Sequence, residues 1–403
     1  MAPVEICPGI YSVGVQDPDL RIFDVIMHAE HGTSYNSYLV CGSAKAALIE
    51  TVKAPFTDKL IANLRKFMDC SMVQYIVVNH AEPDHSGALP RVLELAPNAT
   101  VLATKMGHHF LSNIINRPYK AQVVSDGERI SLGDKELVFL HAPFIHWPDT
   151  MMTYVPQDKA LFPCDFLGSH FADERLFNDQ VDDFSYSFRY YYDHIMRPFK
   201  EYVLKAIEKL RPLEIELIGP SHGPVLRRDP WSYINAYEAW SKEPAKEAGR
   251  KHLLVFYASS YGNTARMAQA IAKGAEQAGV VVSVFDLLAT EIPSVLNLIE
   301  GCDGMAVGTA TINGDAVKPV WDLLSNLATL KLKGKVGAAF GSYGWGGEGP
   351  ALVEERLKGL KFRLAEPALK VTLVPTEDDL AKCQEFGGKL AAAIGGAEAG
   401  RSA

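Results

Sequence analysis

The chain has 403 residues, 48% of them hydrophobic and 22% charged, with a formal net charge of −8. That length favours two domains or more, each with enough chain to bury a core of its own. The acidic balance argues against a nucleic-acid partner, which calls for a concentrated basic surface. No apolar run approaches a membrane span, and Met-Ala-Pro-Val-Glu lacks the basic start and apolar core of a signal peptide, so the expected address is cytoplasmic. The six cysteines, at 7, 41, 70, 164, 302 and 383, form no Cys-x-x-Cys pair. Structural disulfides are not expected, and a cysteine-held iron or zinc module would have to be a separate protein.

In chain order, Ser37 to Cys41 and Lys45 to Thr51 flank a Gly42-Ser43 turn and predict a hairpin. Leu60, Ile61, Leu64 and Phe67 give a helical spacing over 56–67. The stretch Gln74-Tyr-Ile-Val-Val-Asn-His80-Ala-Glu82-Pro-Asp84-His85-Ser-Gly-Ala88 then ends a β-branched strand in four metal-ligating residues within a window of six. Two imidazoles and two carboxylates on one loop suit hard or borderline divalent metals, and alternating positions let neighbours reach two ions. The alternative is capping chemistry in Asp-His-Ser. Further short strands fall at 99–103 and 122–124, separated by a polar helix whose adjacent His108 and His109 are expected to face solvent.

The same layout recurs. Leu137 to Leu140 runs into Pro143 and His146-Trp147-Pro148; His146 is favoured as a ligand over its neighbours His141, expected to be structural, and Asp149. Ala160-Leu-Phe-Pro-Cys-Asp165-Phe-Leu-Gly offers a lone carboxylate after an apolar run, and the two oxygens of such a group can bridge ions about 3.5–4 Å apart. Its neighbour Cys164 reads as a small buried hydrophobe, with a ligand or redox thiol as the alternative. Ile215-Glu-Leu-Ile-Gly-Pro-Ser221-His222-Gly-Pro ends a fourth strand on a histidine. Taken singly each could be a cap or a satisfied core residue; four repeats of one layout point to a metal site.

The order His-x-[His/Glu]-x-Asp-His, His, Asp, His resembles the metallo-β-lactamase superfamily, an αββα sandwich. With Glu82 in the second position, followed by His146-Trp-Pro-Asp and Ser221-His-Gly, it is similar to the flavodiiron proteins. The resemblance implies that His80, Glu82 and His146 hold one iron, Asp84, His85 and His222 the other, and that Asp165 bridges them. A carboxylate in place of an imidazole hardens the site, favouring iron that cycles between ferrous and ferric over zinc. Residues 171–212 resemble the helical roof of the metal pocket, with Tyr191 or Tyr192 as candidates for its lining. The family commonly carries Phe-His-Gly where this chain reads Phe23-Asp24-Val25; a pocket histidine is thus missing, with His28 as a substitute.

Composition turns charged and small at Trp240 to Arg250, which reads as a linker between domains spanning 1–249 and 250–394. The second domain alternates buried apolar strands at 252–257, 280–285, 304–307, 336–340 and 369–373 with amphipathic helices, the pattern of a doubly wound parallel sheet of about five strands with ligands beyond its carboxyl ends. Ser259, Ser260, Tyr261, Gly262, Asn263 and Thr264 fill the first such loop before a helix, a phosphate cradle without lysine, with N-capping as the alternative. Gly308 precedes Thr309, Ala310, Thr311, Ile312, Asn313 and Gly314, and Gly341 precedes Ser342, Tyr343, Gly344, Trp345, Gly346 and Gly347. These offer backbone donors and aromatics able to cover a flat ring. The three loops resemble flavodoxin, which implies FMN, its phosphate at 259–264 and its ring between 309–314 and 342–347. The stretch 395–403 is small and polar and is expected to be a flexible tail.

Flavin beside a dinuclear iron site is an electron-delivery arrangement. The resemblance implies a cytoplasmic reductase of O2 to water, NO to N2O, or both. It also implies a head-to-tail homodimer, or a dimer of dimers, fed by a separate donor such as rubredoxin or a flavin or deazaflavin system. Two other classes would use half of the chain each: a zinc hydrolase, and a non-catalytic electron-transfer flavoprotein.

Overall fold

A computed structural model describes residues 3–242 and 250–396, and the chain divides into two compact units after Lys242. Most of the expected linker and residues 397–403 of the expected tail lie outside the described residues; Gly395 closes a helix, Glu377–Gly395, rather than opening a tail. Among the described residues no helix is long and apolar enough to cross a membrane.

The first unit is built on two sheets. Seven strands pair in the spatial order Val4–Cys7, Ile10–Ser12, Tyr38–Cys41, Ala46–Ile49, Tyr75–Val77, Thr100–Ala103 and Ala121–Val123. Five more pair in the order Arg129–Ser131, Glu136–His141, Met151–Val155, Ala160–Phe162 and Leu217–Ile218. Alternation along each strand feeds two cores. Tyr38, Val40, Ala47, Ile49, Val77 and Leu102 join Leu137, Phe139, Met151 and Phe162 in one cluster between the sheets, while Leu39, Leu48, Ile76 and Val101 face the helices. A strand buried on both faces has to be apolar throughout, which is why Tyr38 to Ile49 and Tyr75 to Val78 read as continuous runs. The result is the αββα layering expected from the sequence.

Helix Thr57–Leu64 follows a 3-10 turn, Ala54–Phe56, and stops three residues short of the expected 67, where the Phe67 N–H turns back onto the Leu64 carbonyl. His108, expected in solvent, is half-buried: its Nδ1 lies 3.0 Å from the Tyr119 hydroxyl and its Nε2 2.9 Å from the Gln122 carbonyl, tying the helix Lys105–Ile115 to the strand beside it. His109 is exposed.

The second unit is a parallel sheet in the spatial order Val281–Asp286, His252–Tyr257, Gly304–Gly308, Val336–Tyr343, with Arg363–Leu364 and Leu369–Thr372 pairing along the last. Leu254, Phe256 and Met305 pack on one face, Leu253, Val255 and Ala306 on the other, as a doubly wound sheet requires. The fourth strand runs on through Gly341, Ser342 and Tyr343, three residues further than the apolar run indicated.

Candidate metal centre and flavin cradle

The first unit brings all seven expected ligand residues together at the carboxyl ends of its strands, around Asp165. The two oxygens of that carboxylate divide the set. Oδ2 faces His80 Nε2 at 3.9 Å and His146 Nε2 at 3.6 Å, and Glu82 Oε2 lies 3.0 Å from the first imidazole and 3.3 Å from the second. Oδ1 faces His85 Nε2 at 3.2 Å and His222 Nε2 at 3.3 Å, with Asp84 reaching both at 3.3 and 3.1 Å. Two groups of three donors thus share one carboxylate.

Residues behind the ligands fix them. His80 Nδ1 lies 3.1 and 3.2 Å from the Asp149 carboxylate, which also accepts from the Ala81 backbone N–H at 2.7 Å. Asp149 therefore supports an expected ligand, His80. His222 Nδ1 donates to the Ser34 carbonyl at 2.6 Å. Asn79 stitches the two sheets, accepting from the Thr153 hydroxyl and donating its side-chain amide to the Phe162 carbonyl, while its backbone N–H donates to Glu50 Oε1 at 2.8 Å. Outer groups of this kind set the tautomer and direction of metal ligands. His141 is structural, its Nε2 3.1 Å from the Val124 carbonyl, and the Cys164 thiol, fully buried, is pushed well above its usual range.

Three carboxylates in this space call for positive charge. Burial pushes the Asp165 carboxyl up, but the His85 charge and hydrogen bonds from His146, His222 and His85 hold it well below the usual range. Burial likewise opposes protonated imidazoles, yet Asp165 and Asp84 raise His85 to about 10 and His222 to about 9, and hydrogen bonds to Asp149 and Glu82 hold His80 well above its ordinary value. Cations would supply the same charge that these protons supply. Asp84 Oδ1 and His85 Nε2, both buried, face each other without making a hydrogen bond, as donors around an ion do.

The pocket wall separates the remaining candidates. Helix Ser185–Tyr191 passes into a π-helical turn, Tyr192–Met196. Tyr191 donates its hydroxyl to Asp165 Oδ1 at 2.9 Å. Tyr192 points elsewhere, its hydroxyl 2.9 Å from Ser241 Oγ and its ring packed on Tyr237 and Trp240, so it belongs to the core. His28 is exposed on a two-residue strand, and its backbone N–H reaches the roof, donating to the Tyr190 hydroxyl at 3.3 Å. Asp24 sits at the tip of the Ile22–Phe23 and Met27–His28 hairpin, its carboxyl pushed up to about 6 by desolvation and by Glu82, Asp84 and Asp165. The imidazole packed against the ligand set is His170, which the sequence did not single out.

In the second unit the three expected loops sit at the carboxyl ends of three adjacent parallel strands. Gly262, at φ 80°, precedes the helix Asn263–Gln277 with no side-chain cap, leaving first-turn N–H groups open to an anion. Thr264 Oγ1 and Ser342 Oγ lie 3.3 Å apart, joining the first loop to the third. The middle loop is a hairpin, Thr311–Ile312 against Asp315–Ala316, turned by Asn313 and Gly314 at φ 55° and 74°. Thr309 is fully buried and spends its hydroxyl on the Ala310 carbonyl and Val317 N–H, so it shapes the loop rather than facing a ligand. Tyr261 and Trp345 stand 91% and 98% exposed, aromatic surface available to a flat ring.

A two-sheet αββα unit with metal-ligating residues gathered at its strand ends, joined to a flavodoxin-like sheet, defines a metallo-β-lactamase-like flavoprotein. The family model described as ODP family beta lactamase matches residues 33–223, and that for flavodoxin matches 255–387. The chain is 47% identical to the type A flavoprotein fprA of Rhodobacter capsulatus over 99% of its own length and 93% of the relative's. It is 39% identical to a protein of Moorella thermoacetica named nitric oxide reductase, over 97% and 99% of the two chains. The solved rubredoxin oxygen:oxidoreductase of Desulfovibrio gigas superposes with a TM-score of 0.76 at 28% identity, covering 98% of this chain and 100% of that one. The chain belongs to the type A flavoprotein, or flavodiiron, family.

Proposed function

We propose that this chain is a flavodiiron oxidoreductase that reduces O2 to water, NO to N2O, or both. The observation that carries the reading is the division of six donors by the two oxygens of Asp165. In this reading His80, Glu82 and His146 hold one iron, Asp84, His85 and His222 the second, and Asp165 bridges. The first loop, Ser259 to Thr264, holds the FMN phosphate, and the loops at 310–314 and 342–347 hold its ring. When bound, the irons and the flavin supply the electrons: four for O2, two for a pair of NO molecules.

The side chains supply position and polarity. Tyr191 fixes Asp165, while Asp149 and the Ser34 carbonyl hold His80 and His222 by Nδ1 and turn each Nε2 toward the carboxylates. Phe23, Phe166 and Phe171 are buried in the cluster that also contains Tyr191, which limits bulk water on that side.

The same proposal takes the domains as 1–249 and 250–394. It places the protein in the cytoplasm, where six free cysteines and a reduced flavin suit the redox environment. It makes the working form a head-to-tail homodimer, the flavin of one subunit serving the irons of the other, with rubredoxin or a flavin or deazaflavin system as donor. Family membership supports both points; sedimentation and activity on dilution test the first.

Metal and flavin analysis of anaerobically purified protein tests the central assignment. The reading expects two irons and one FMN per chain. Zinc without iron would point instead to a hydrolase.

A further inference from the structure

Two neighbouring residues of the strand Thr33–Tyr35 each hold one imidazole. The Ser34 carbonyl accepts from His222 Nδ1 at 2.6 Å, and Thr33 Oγ1 lies 2.9 Å from His170 Nδ1. His222 turns its Nε2 to Asp84 and Asp165. His170 is 3% exposed, and its Nε2 has no hydrogen-bond partner among the described residues. The ring is held on three sides, its centroid 4.1 Å from Phe23, 4.9 Å from Tyr191 and 5.3 Å from His222.

The hydrogen bonds decide which nitrogen carries the proton. The Ser34 carbonyl already takes a short bond from His222 and lies 3.3 Å from Thr33 Oγ1, so the better acceptor for the Thr33 hydroxyl is His170 Nδ1. Nε2 then bears the hydrogen, directed away from the strand. A buried N–H with no acceptor is costly and calls for one that binds later. The acceptors nearby are committed: Asp165 Oδ1 takes the Tyr191 hydroxyl and faces two imidazoles.

We propose that His170 is a positioning residue of the metal pocket, its Nε2–H donating a hydrogen bond to a small anionic or gaseous ligand held beside His222 and Tyr191. This role rests on the diiron reading above.

Azide is the probe, titrated into the oxidised, iron- and FMN-replete protein and followed by its optical band and its infrared stretch in H2O and D2O. His170→Phe keeps a flat ring but removes the donor, and is expected to weaken azide about tenfold and to abolish the deuterium shift of the stretch. His170→Gln keeps an N–H donor and is expected to remain within about threefold of the parent, with the shift retained. Thr33→Val leaves the ring but frees its tautomer, and is expected to weaken azide by about threefold. Unchanged affinity and an unchanged deuterium shift in iron-replete His170→Phe would overturn the proposal. So would loss of iron in both His170 variants, which would make the ring a prop for His222. Parent protein without iron would instead sink the diiron reading itself.

Discussion

The Asp149 carboxylate holds His80 Nδ1 at 3.1 and 3.2 Å and the Ala81 N–H at 2.7 Å, so one buried side chain fixes both this imidazole and its loop. Asp149→Asn keeps the volume but replaces an acceptor by a donor on one side. We expect iron affinity to fall by about 10–100-fold, measured by competition with a chelator, while the fold survives.

Tyr191 and Tyr192 are adjacent in sequence but differ in role. Tyr191→Phe removes the hydroxyl that donates to Asp165, and turnover should fall about three- to tenfold, the worth of one net hydrogen bond. Tyr192→Phe loses the bond with Ser241 and should leave turnover unchanged, at a stability cost of about 1 kcal/mol. Steady-state gas consumption by the two variants, side by side, checks this.

Glu50 is buried between the ligand loop and the sheet, and desolvation pushes its carboxyl from 4.5 up to about 8. Between those values the folded apoprotein keeps a proton that the unfolded chain has released. The stabilisation contributed by neutral Glu50 is therefore present in full below 4.5 and is lost as pH rises through about 8. Glu50→Gln cannot ionise, so its urea midpoint should fall less than the parent's across this window.

Metal loading should depend on pH in the opposite sense. Asp165 and Asp84 raise His85 to about 10 and His222 to about 9 against the effect of burial, and a metal ligand must be the neutral imidazole. Each ion displaces protons, so apparent affinity should rise from pH 6 to 9; calorimetry in buffers of different ionisation enthalpy measures the protons released.

The residues that gather around Asp165 were legible because each sits past an apolar strand, where a short sequence window contains both the element and the chemistry. His80 to His85, His146, Asp165 and His222 all satisfy that condition. Their supports do not. Ser34 acts through its backbone carbonyl, and Asn79 works by bonding across to another sheet. His170 follows Asp165 by five residues through a Gly168-Ser169 turn, and only tertiary packing sets it beside His222. In the second unit the strands and their parallel, doubly wound arrangement were readable from apolar runs alternating with helices. The extension through Ser342 and Tyr343 was not, because pairing with Leu369–Thr372 sustains a strand that its local composition would end.

The most direct test of the account is consumption of O2 and, separately, NO by anaerobically purified, iron- and FMN-replete protein under chemically reduced rubredoxin. The account predicts turnover of at least one gas, lost in Asp165→Ala while FMN stays bound. Protein holding both irons and its flavin that consumes neither gas would contradict it.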